Sequence, residues 1–149
     1  MEKEEEELQA LTREYFKQDK FVELAGIKID TITKDRAVIR AEITPEHLNA
    51  NGCVQGGMLY TAADFAFAVL SNYIHPVTVT QGGHIQYLRP AFTTFITATA
   101  TETERAGHNT VSEVIVRDDK EKIVCICHFN GFVKDIDRKE MTAKNGGER

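Results

Sequence analysis

The chain has 149 residues, of which 42% are hydrophobic, so its length and composition fit a single domain with a core of its own. Its formal net charge of −5 disfavours nucleic acid as a partner, because phosphate recognition needs clustered Lys and Arg side chains. Three cysteines without the spacing of a disulfide framework, together with the lack of an apolar leader segment, predict a cytoplasmic protein.

The first segment is predicted to be an amphipathic helix on the surface, over about residues 3–18. Its acidic start suits the positive end of a helix dipole, and apolar side chains then recur at helical spacing: Leu8, Leu11, Tyr15 and Phe16. From residue 26 to residue 45 apolar and polar residues alternate, which predicts a β-hairpin with its turn at Lys34 and Asp35.

The most apolar segment starts at Gly56 and is predicted to be a buried helix of about 17 residues that ends near Ser71 and Asn72. It follows a loop over residues 45–55. The segment is barely long enough to cross a bilayer and carries Asp64 near its middle, which argues against a membrane span.

Four β segments follow the helix, over residues 77–88, 94–104, 110–117 and 123–133, with turn residues between them. One helix, apolar on nearly all sides, among five or six strands predicts an α+β fold in which an antiparallel sheet wraps around the helix. The predicted single domain has a core over about residues 22–134 and a polar tail over about residues 135–149. Because such a sheet leaves an edge to cover, we expect an oligomer.

Asp64 is the first candidate for a functional residue. A carboxylate among Met, Leu, Ala, Phe and Val side chains costs several kcal/mol to desolvate, so it is rarely kept for packing alone. Eight residues earlier, Gly56 and Gly57 stand at the start of the helix, where unpaired N–H groups suit a developing oxyanion. The simpler interpretation of the glycine pair is close packing of the helix.

The spacing of these residues bears on how they would act together. Gly56 and Asp64 are separated by about 12 Å of helix. An oxyanion donor and an attacking group must both come within about 3 Å of one carbonyl. If both residues are catalytic, we expect a site shared between two chains.

The stretch HLNANGCVQGGMLYTAAD resembles the hotdog-fold acyl-CoA thioesterases, in particular the PaaI-like subgroup of phenylacetate degradation. It matches the pattern of that subgroup, with the spacing intact, at His47, Asn49, Gly52, Gly56, Gly57 and Asp64. The segment IQYLRPA, residues 85–91, resembles the strand end that follows in these proteins. The resemblance therefore covers about residues 26–133.

The resemblance implies a hotdog fold, with chains paired as dimers and often as dimers of dimers. It also implies hydrolysis of an acyl-CoA thioester without a metal or a redox cofactor. Asp64 would be the general base or the nucleophile, and the amide of Gly56 would be the oxyanion donor. Asn49 would help to place the attacking water or the thioester, and Thr80 lies where the family often has Ser or Thr near the aspartate.

Gln55 departs from the pattern, because the subgroup usually has His at this position. A glutamine can donate a hydrogen bond to the thioester, but it takes no charge near neutral pH. Gln55 therefore stays in the candidate catalytic set and leaves a second function open, an acyl-CoA-binding protein that does not hydrolyse its ligand. A hydratase or dehydratase ranks last, since it would need a His paired with an acidic residue at the site.

Five residues are candidates for substrate binding: His47, Gly57, Gly82, Gly83 and Arg89. His47 is expected mainly to shape its loop. Arg89 would pair with a CoA phosphate, and a surface salt bridge is the alternative. The paired glycines at 82 and 83 mark a β-bulge or leave room for an acyl group.

The cysteines are interpreted as packing residues. Cys125 and Cys127 alternate along a predicted strand and point the same way as Phe129, into the core. A zinc site that includes His128 is therefore disfavoured, and no metal is expected. Cys53 lies in the loop before the long helix and lacks a recognisable His or Asn partner for nucleophilic chemistry.

Overall fold

A six-stranded antiparallel sheet wraps around one long helix in the computed structural model, which describes residues 1–137. The elements in chain order are α1 (Glu2–Phe16), α2 (Lys20–Leu24), β1 (Ile27–Ile32), β2 (Ala37–Glu42), α3 (Gly56–Ile74), β3 (Thr78–Tyr87), β4 (Phe95–Ala106), β5 (Asn109–Arg117) and β6 (Ile123–Val133). The strand order is β1-β2-β4-β5-β6-β3, and all neighbours are antiparallel. The predicted fold class is confirmed.

The core is built around α3, whose apolar side chains point in nearly every direction from the helix axis. Ala63, Phe67, Val69 and Leu70 are completely buried against the inner face of the sheet. Burial of one large apolar side chain such as Phe67 contributes about 1.5 to 3 kcal/mol. The apolar character that predicted a buried helix therefore contributes to its stability through this burial.

The helix ends at Ile74, later than the predicted end at Ser71 and Asn72. The Asn72 side chain is buried and bonds to both backbone groups of Thr78, accepting from its N–H at 3.0 Å and donating to its carbonyl at 3.1 Å. A polar residue that looked like a helix stop from the sequence instead joins the end of α3 to the start of β3.

The two edge strands of the sheet have different neighbours. α1 covers the edge at β1, where Arg13 donates to the carbonyls of Ile29 at 2.8 Å and Asp30 at 3.0 Å. Gln9 donates to the carbonyl of Ile32 at 2.9 Å. Within residues 1–137 no strand pairs with the outer edge of β3, and most of its side chains are exposed. The sheet thus has one covered edge and one free edge.

The predicted N-terminal helix is present, but its buried face differs from the prediction. Leu11 is 52% exposed, whereas Thr12 is fully buried. Thr12 tolerates burial because its hydroxyl donates to the carbonyl of Leu8 at 2.8 Å. Apolar spacing alone therefore did not fix which side chains of the helix are buried. The short helix α2 was not predicted.

A β-bulge in β3 sets which of its side chains face α3. The register with β6 shifts between Thr80 and Gly82, so that Thr80 and Gly83 both face the helix. The bulge interpretation of the paired glycines is therefore confirmed. Without the extra residue, the alternation would turn the second half of the strand away from α3.

Among residues 1–137, no helix is both long and apolar enough to cross a membrane. The predicted limits of the domain core and of the tail stay a prediction. Most of the predicted tail, residues 138–149, lies outside the described residues.

Candidate active site

The face of α3 that lies against β3 carries the main candidate residues. Gly56, Tyr60 and Asp64 recur every four residues and so share one face of the helix. β3 runs in the opposite direction along this face, and three pairs of residues meet in order: Gly56 with Tyr87, Tyr60 with Gly83, and Asp64 with Thr80. We call this arrangement the α3–β3 ladder. It lies at the free edge of the sheet.

Asp64 is a half-buried carboxylate at one end of the ladder. The hydroxyl of Thr80 donates to Asp64 Oδ1 at 2.8 Å. Burial raises the pKa of Asp64, the bond from Thr80 opposes this rise, and the charge of Asp19 adds to it. No cation of residues 1–137 forms an ion pair with Asp64. A carboxylate with a raised pKa and no cation partner is suited to act as a base.

The start of α3, at the other end of the ladder, offers two free amides. Gln55 is the N-cap, and its Oε1 accepts from the Met58 N–H at 3.1 Å. Within residues 1–137, the N–H groups of Gly56 and Gly57 have no acceptor. The Gln55 side chain therefore caps the third amide of the helix and leaves the first two available for an anion.

Tyr87 lies directly over the start of α3. Its hydroxyl donates to the carbonyl of Gly56 at 2.9 Å. A Cβ at position 56 would meet the Tyr87 ring at 3.2 Å, so a glycine at this position accommodates the ring. The residue was not a candidate from the sequence, where the only signal was its place in the segment IQYLRPA.

His47 and Asn49 hold the loop before α3 in shape. The Nδ1 atom of His47 accepts from the Thr44 N–H at 3.0 Å, so Nε2 carries the proton and donates to the Ala25 carbonyl at 2.6 Å. Asn49 Oδ1 accepts from the N–H groups of Asn51 at 2.9 Å and Cys53 at 3.3 Å. The expectation that His47 shapes its loop is consistent with these bonds.

A cavity of about 400 Å³ lies beside the start of α3. Its lining brings together three of the predicted site residues, Asn49, Gly56 and Arg89, together with Cys53 and Tyr87. Arg89 makes no salt bridge within residues 1–137, so the alternative of a surface ion pair is not observed there. Asp64 is not part of this lining.

A family model described as "Domain of unknown function (DUF4442)" matches residues 10–133. The chain belongs to this family. The acyl-coenzyme A thioesterase PaaI of Escherichia coli strain K12 is 28% identical over 112 residues, which cover 74% of this chain and 80% of that protein. The 1,4-dihydroxy-2-naphthoyl-CoA hydrolase of Listeria monocytogenes serotype 1/2a, strain 10403S, is 28% identical over 75% of this chain and 94% of that protein.

A solved structure also resembles this DUF4442 chain. The E. coli PaaI protein from the phenylacetic acid degradation operon has a TM-score of 0.76 at 26% identity, over 80% of this chain and 87% of that one. The prediction of a PaaI-like hotdog protein is confirmed by these comparisons.

In this DUF4442 chain the predicted catalytic residues fall into two groups at opposite ends of the ladder. Asp64 and Thr80 are joined by a hydrogen bond at one end. Gly56, Gln55 and Asn49 surround the helix start at the other end, about 12 Å away along the axis. Within one chain the two groups are therefore too far apart to contact the same carbonyl, as the spacing in the sequence predicted.

The paired glycines of β3 have different surroundings. A Cβ at Gly83 would meet the Phe129 ring at 2.7 Å and would also collide with the hydroxyl of Tyr60. Nothing lies within 4 Å of the same position at Gly82. Gly83 therefore permits close contact between α3 and β3, whereas Gly82 faces open space.

Cys125 and Cys127 behave as predicted for packing residues, whereas Cys53 has an Asn partner that was not predicted, because Asn49 Nδ2 donates to its Sγ at 3.3 Å. Cys125, Cys127 and Phe129 are all buried on the inner face of β6. His128 faces outward and approaches Glu113 at 3.3 Å. The predicted direction of these side chains is therefore confirmed.

Proposed function

We propose that the chain is an acyl-CoA thioesterase whose active site is completed by a second copy of the chain. The observation that carries this proposal is the α3–β3 ladder, which holds at one end two amides without an acceptor among residues 1–137, and Asp64 at the other end. At the level of enzyme class, a thioester hydrolase, the prediction from the sequence is confirmed by the two curated relatives. The residues and the shared site are the proposal.

The proposed reaction begins when the thioester carbonyl binds at the start of α3. The N–H of Gly56 donates to the carbonyl oxygen and stabilises the negative charge that forms there. Asp64 takes a proton from a water molecule, the hydroxide attacks the carbonyl carbon, and the tetrahedral intermediate expels CoA as a thiolate. The thiolate then takes up the proton. This route consumes only water and needs no metal or redox cofactor.

Direct attack by Asp64 is the alternative chemical route. The carboxylate would then form a mixed anhydride with the acyl group and release the CoA thiolate, and water would hydrolyse the anhydride. In both routes Thr80 holds Asp64 Oδ1 through the 2.8 Å hydrogen bond, which leaves Oδ2 for the reaction.

The free edge of β3 supports a dimer as the complete unit. A two-fold axis near Gly83, in the middle of the strand, would place Thr80 beside the partner's Tyr87. Because Asp64 contacts Thr80 and Gly56 contacts Tyr87, the same symmetry would bring Asp64 toward Gly56 of the partner subunit. The pairing would also cover the unpaired backbone groups of the edge.

The cavity beside Gly56 is the proposed binding place for the CoA arm. Its lining includes Arg89, whose guanidinium would pair with a CoA phosphate. Asn49 and Gly57 would contact the thioester at the mouth of the cavity. A dimer of dimers and a cytoplasmic location stay predictions from the sequence.

Thiol release from a panel of short, medium, long and aryl acyl-CoAs tests the function. We expect the wild type to release CoA thiol and Asp64→Asn to lose activity by about 10²- to 10⁴-fold, because a general base contributes that much. Tight binding of acyl-CoA without thiol release by the wild type would favour the non-hydrolytic binding protein. Full activity of the Asp64→Asn variant would refute the assignment of Asp64.

A further inference from the structure

Tyr87 has no part in the mechanism above, yet it contacts the start of α3 in two ways. Its hydroxyl donates to the Gly56 carbonyl at 2.9 Å. Its ring lies against the Gly56 backbone, at 3.2 Å from where a Cβ would stand. Tyr87 also lines the cavity beside the helix start. A tyrosine that served only as a cavity wall would not need this hydrogen bond.

The bonded carbonyl and the next amide belong to the same peptide group. The carbonyl of Gly56 and the N–H of Gly57 are linked by the delocalised peptide bond. When the carbonyl oxygen accepts a hydrogen bond, the N–H of the same peptide becomes a stronger donor. Within residues 1–137 the Gly57 N–H has no acceptor, so this added strength is available to a bound oxyanion.

The Tyr87 hydroxyl keeps its proton over the range in which Asp64 would titrate. Burial raises the pKa of Tyr87, and the nearby Cys125, Cys127 and Tyr60 raise it further. The hydroxyl is therefore a hydrogen-bond donor to Gly56 at every pH at which Asp64 changes charge.

We propose that Tyr87 is a positioning residue, which holds the first turn of α3 in place and makes the Gly57 N–H a second oxyanion donor beside Gly56. This inference rests on the proposed thioesterase function. Tyr87 acts through the peptide group and does not touch the reacting atoms. Its effect should therefore appear in the chemical step and not in the binding of CoA.

The Tyr87→Phe variant removes the hydroxyl and keeps the ring. With the acyl-CoA that the wild type hydrolyses fastest, kcat should fall by about tenfold, which is less than the loss expected for a direct oxyanion donor. The Kd for an S-alkyl-CoA thioether, which has no carbonyl, should stay within about twofold of the wild type. Tyr15→Phe, which removes a hydroxyl on α1 that forms no hydrogen bond with a ladder residue, is the matched control and should change neither value.

Fluorinated tyrosines at position 87 provide a second test. If Tyr87 acted only through packing, kcat would not depend on the acidity of its phenol. At a pH below the phenol pKa of every analogue, a more acidic phenol is a stronger donor, so kcat should rise with phenol acidity. The inference is overturned if Tyr87→Phe keeps kcat within about twofold, if kcat and thioether affinity fall together, or if kcat is independent of phenol acidity. A wild type that releases no thiol would instead overturn the proposed function itself.

Discussion

At the scale of single residues, Asp64 is tolerated in an apolar helix because its environment is only partly apolar. The carboxylate lies at the free edge of the sheet and accepts a hydrogen bond from Thr80. Burial nevertheless raises its pKa, which means that the folded chain favours the protonated form more than the unfolded chain does. A group with these properties reduces stability at neutral pH.

The raised pKa of Asp64 predicts two dependences on pH. The value of kcat/KM should fall as the pH decreases through the pKa of Asp64, at a pH above the ordinary aspartate value of 3.8. The pKa of Asp64 is higher in the folded chain than in the unfolded chain. The stability that protonated Asp64 contributes is therefore complete below the pKa of the unfolded chain, and it is lost as the pH rises through the pKa of the folded chain. Asp64→Asn should therefore raise Tm at neutral pH.

Calorimetry of the wild type and Asp64→Asn across a pH series checks the second dependence. The difference in Tm should shrink toward acid pH, where both side chains are uncharged. A constant difference at all pH values would show that the pKa of Asp64 does not change on folding. Thr80→Val, which removes the opposing hydrogen bond, should move the acid limb of kcat/KM to higher pH.

Gln55 illustrates how one side chain serves the fold and the site. Its Oε1 caps the Met58 amide, and its Nε2 makes no hydrogen bond within residues 1–137. Gln55 thus caps the helix, and its Nε2 lies beside the two glycine amides.

A matched pair of substitutions separates the two roles of Gln55. Gln55→Ala loses the cap and should lower the free energy of unfolding by about 1 kcal/mol. Gln55→Glu keeps an acceptor oxygen and suits the helix dipole, so stability should be retained while kcat falls by at least about tenfold, because its charge repels the oxyanion. Urea unfolding and thiol release measure the two effects. Equal activity of Gln55→Glu and the wild type would exclude Gln55 from the site.

At the scale of elements, the local pattern of apolar and polar residues predicted nearly all helices and strands. Contacts between elements determine which side chains are buried and which residues meet. The alternation in β6 predicted that Cys125 and Cys127 point inward, and they do. Leu11 belongs to the apolar series of α1 and is nevertheless exposed, because helical spacing does not determine which way the helix faces its neighbours. Tyr87 was not predicted as a site residue because its contact with Gly56 joins residues that are 31 positions apart in the sequence.

The two glycines of β3 provide a test of the contact between α3 and β3. Gly83→Ala should lower the free energy of unfolding by about 1 to 3 kcal/mol, because the new methyl group meets Phe129 and Tyr60. Gly82→Ala is the neighbouring control and should change it by less than about 0.5 kcal/mol, since its Cβ enters open space. Chemical denaturation of both variants measures the difference, and equal stabilities would contradict the ladder geometry.

At the scale of the whole molecule, the central claim is that two chains share each active site. The sequence predicted this from the 12 Å of helix between Gly56 and Asp64. It did not predict which edge of the sheet stays free, because strand order depends on pairing between distant segments. The structure identifies the free edge as β3, the strand that carries Thr80 and Tyr87.

Gly56→Pro is a variant that removes one amide donor at a helix position that accepts proline, although its Cβ meets the Tyr87 ring at 3.2 Å and the ring must shift slightly. Position 56 is the first residue of α3, where proline is favourable, and Gln55 already has the extended backbone that precedes proline, with φ −61° and ψ 135°. The loss of the N–H should lower kcat by about 10²- to 10³-fold. Circular dichroism should show an unchanged helix content, and an active variant would contradict the oxyanion role.

The most direct test combines Gly56→Pro and Asp64→Asn in one dimer. The two variants are co-expressed with different affinity tags, and the heterodimer is purified through both tags. If each site takes Asp64 from one chain and Gly56 from the other, the heterodimer has one intact site and should recover about half of the wild-type rate per dimer, while both parent homodimers stay inactive. A heterodimer as inactive as its parents would show that each site lies within a single chain and would contradict the account.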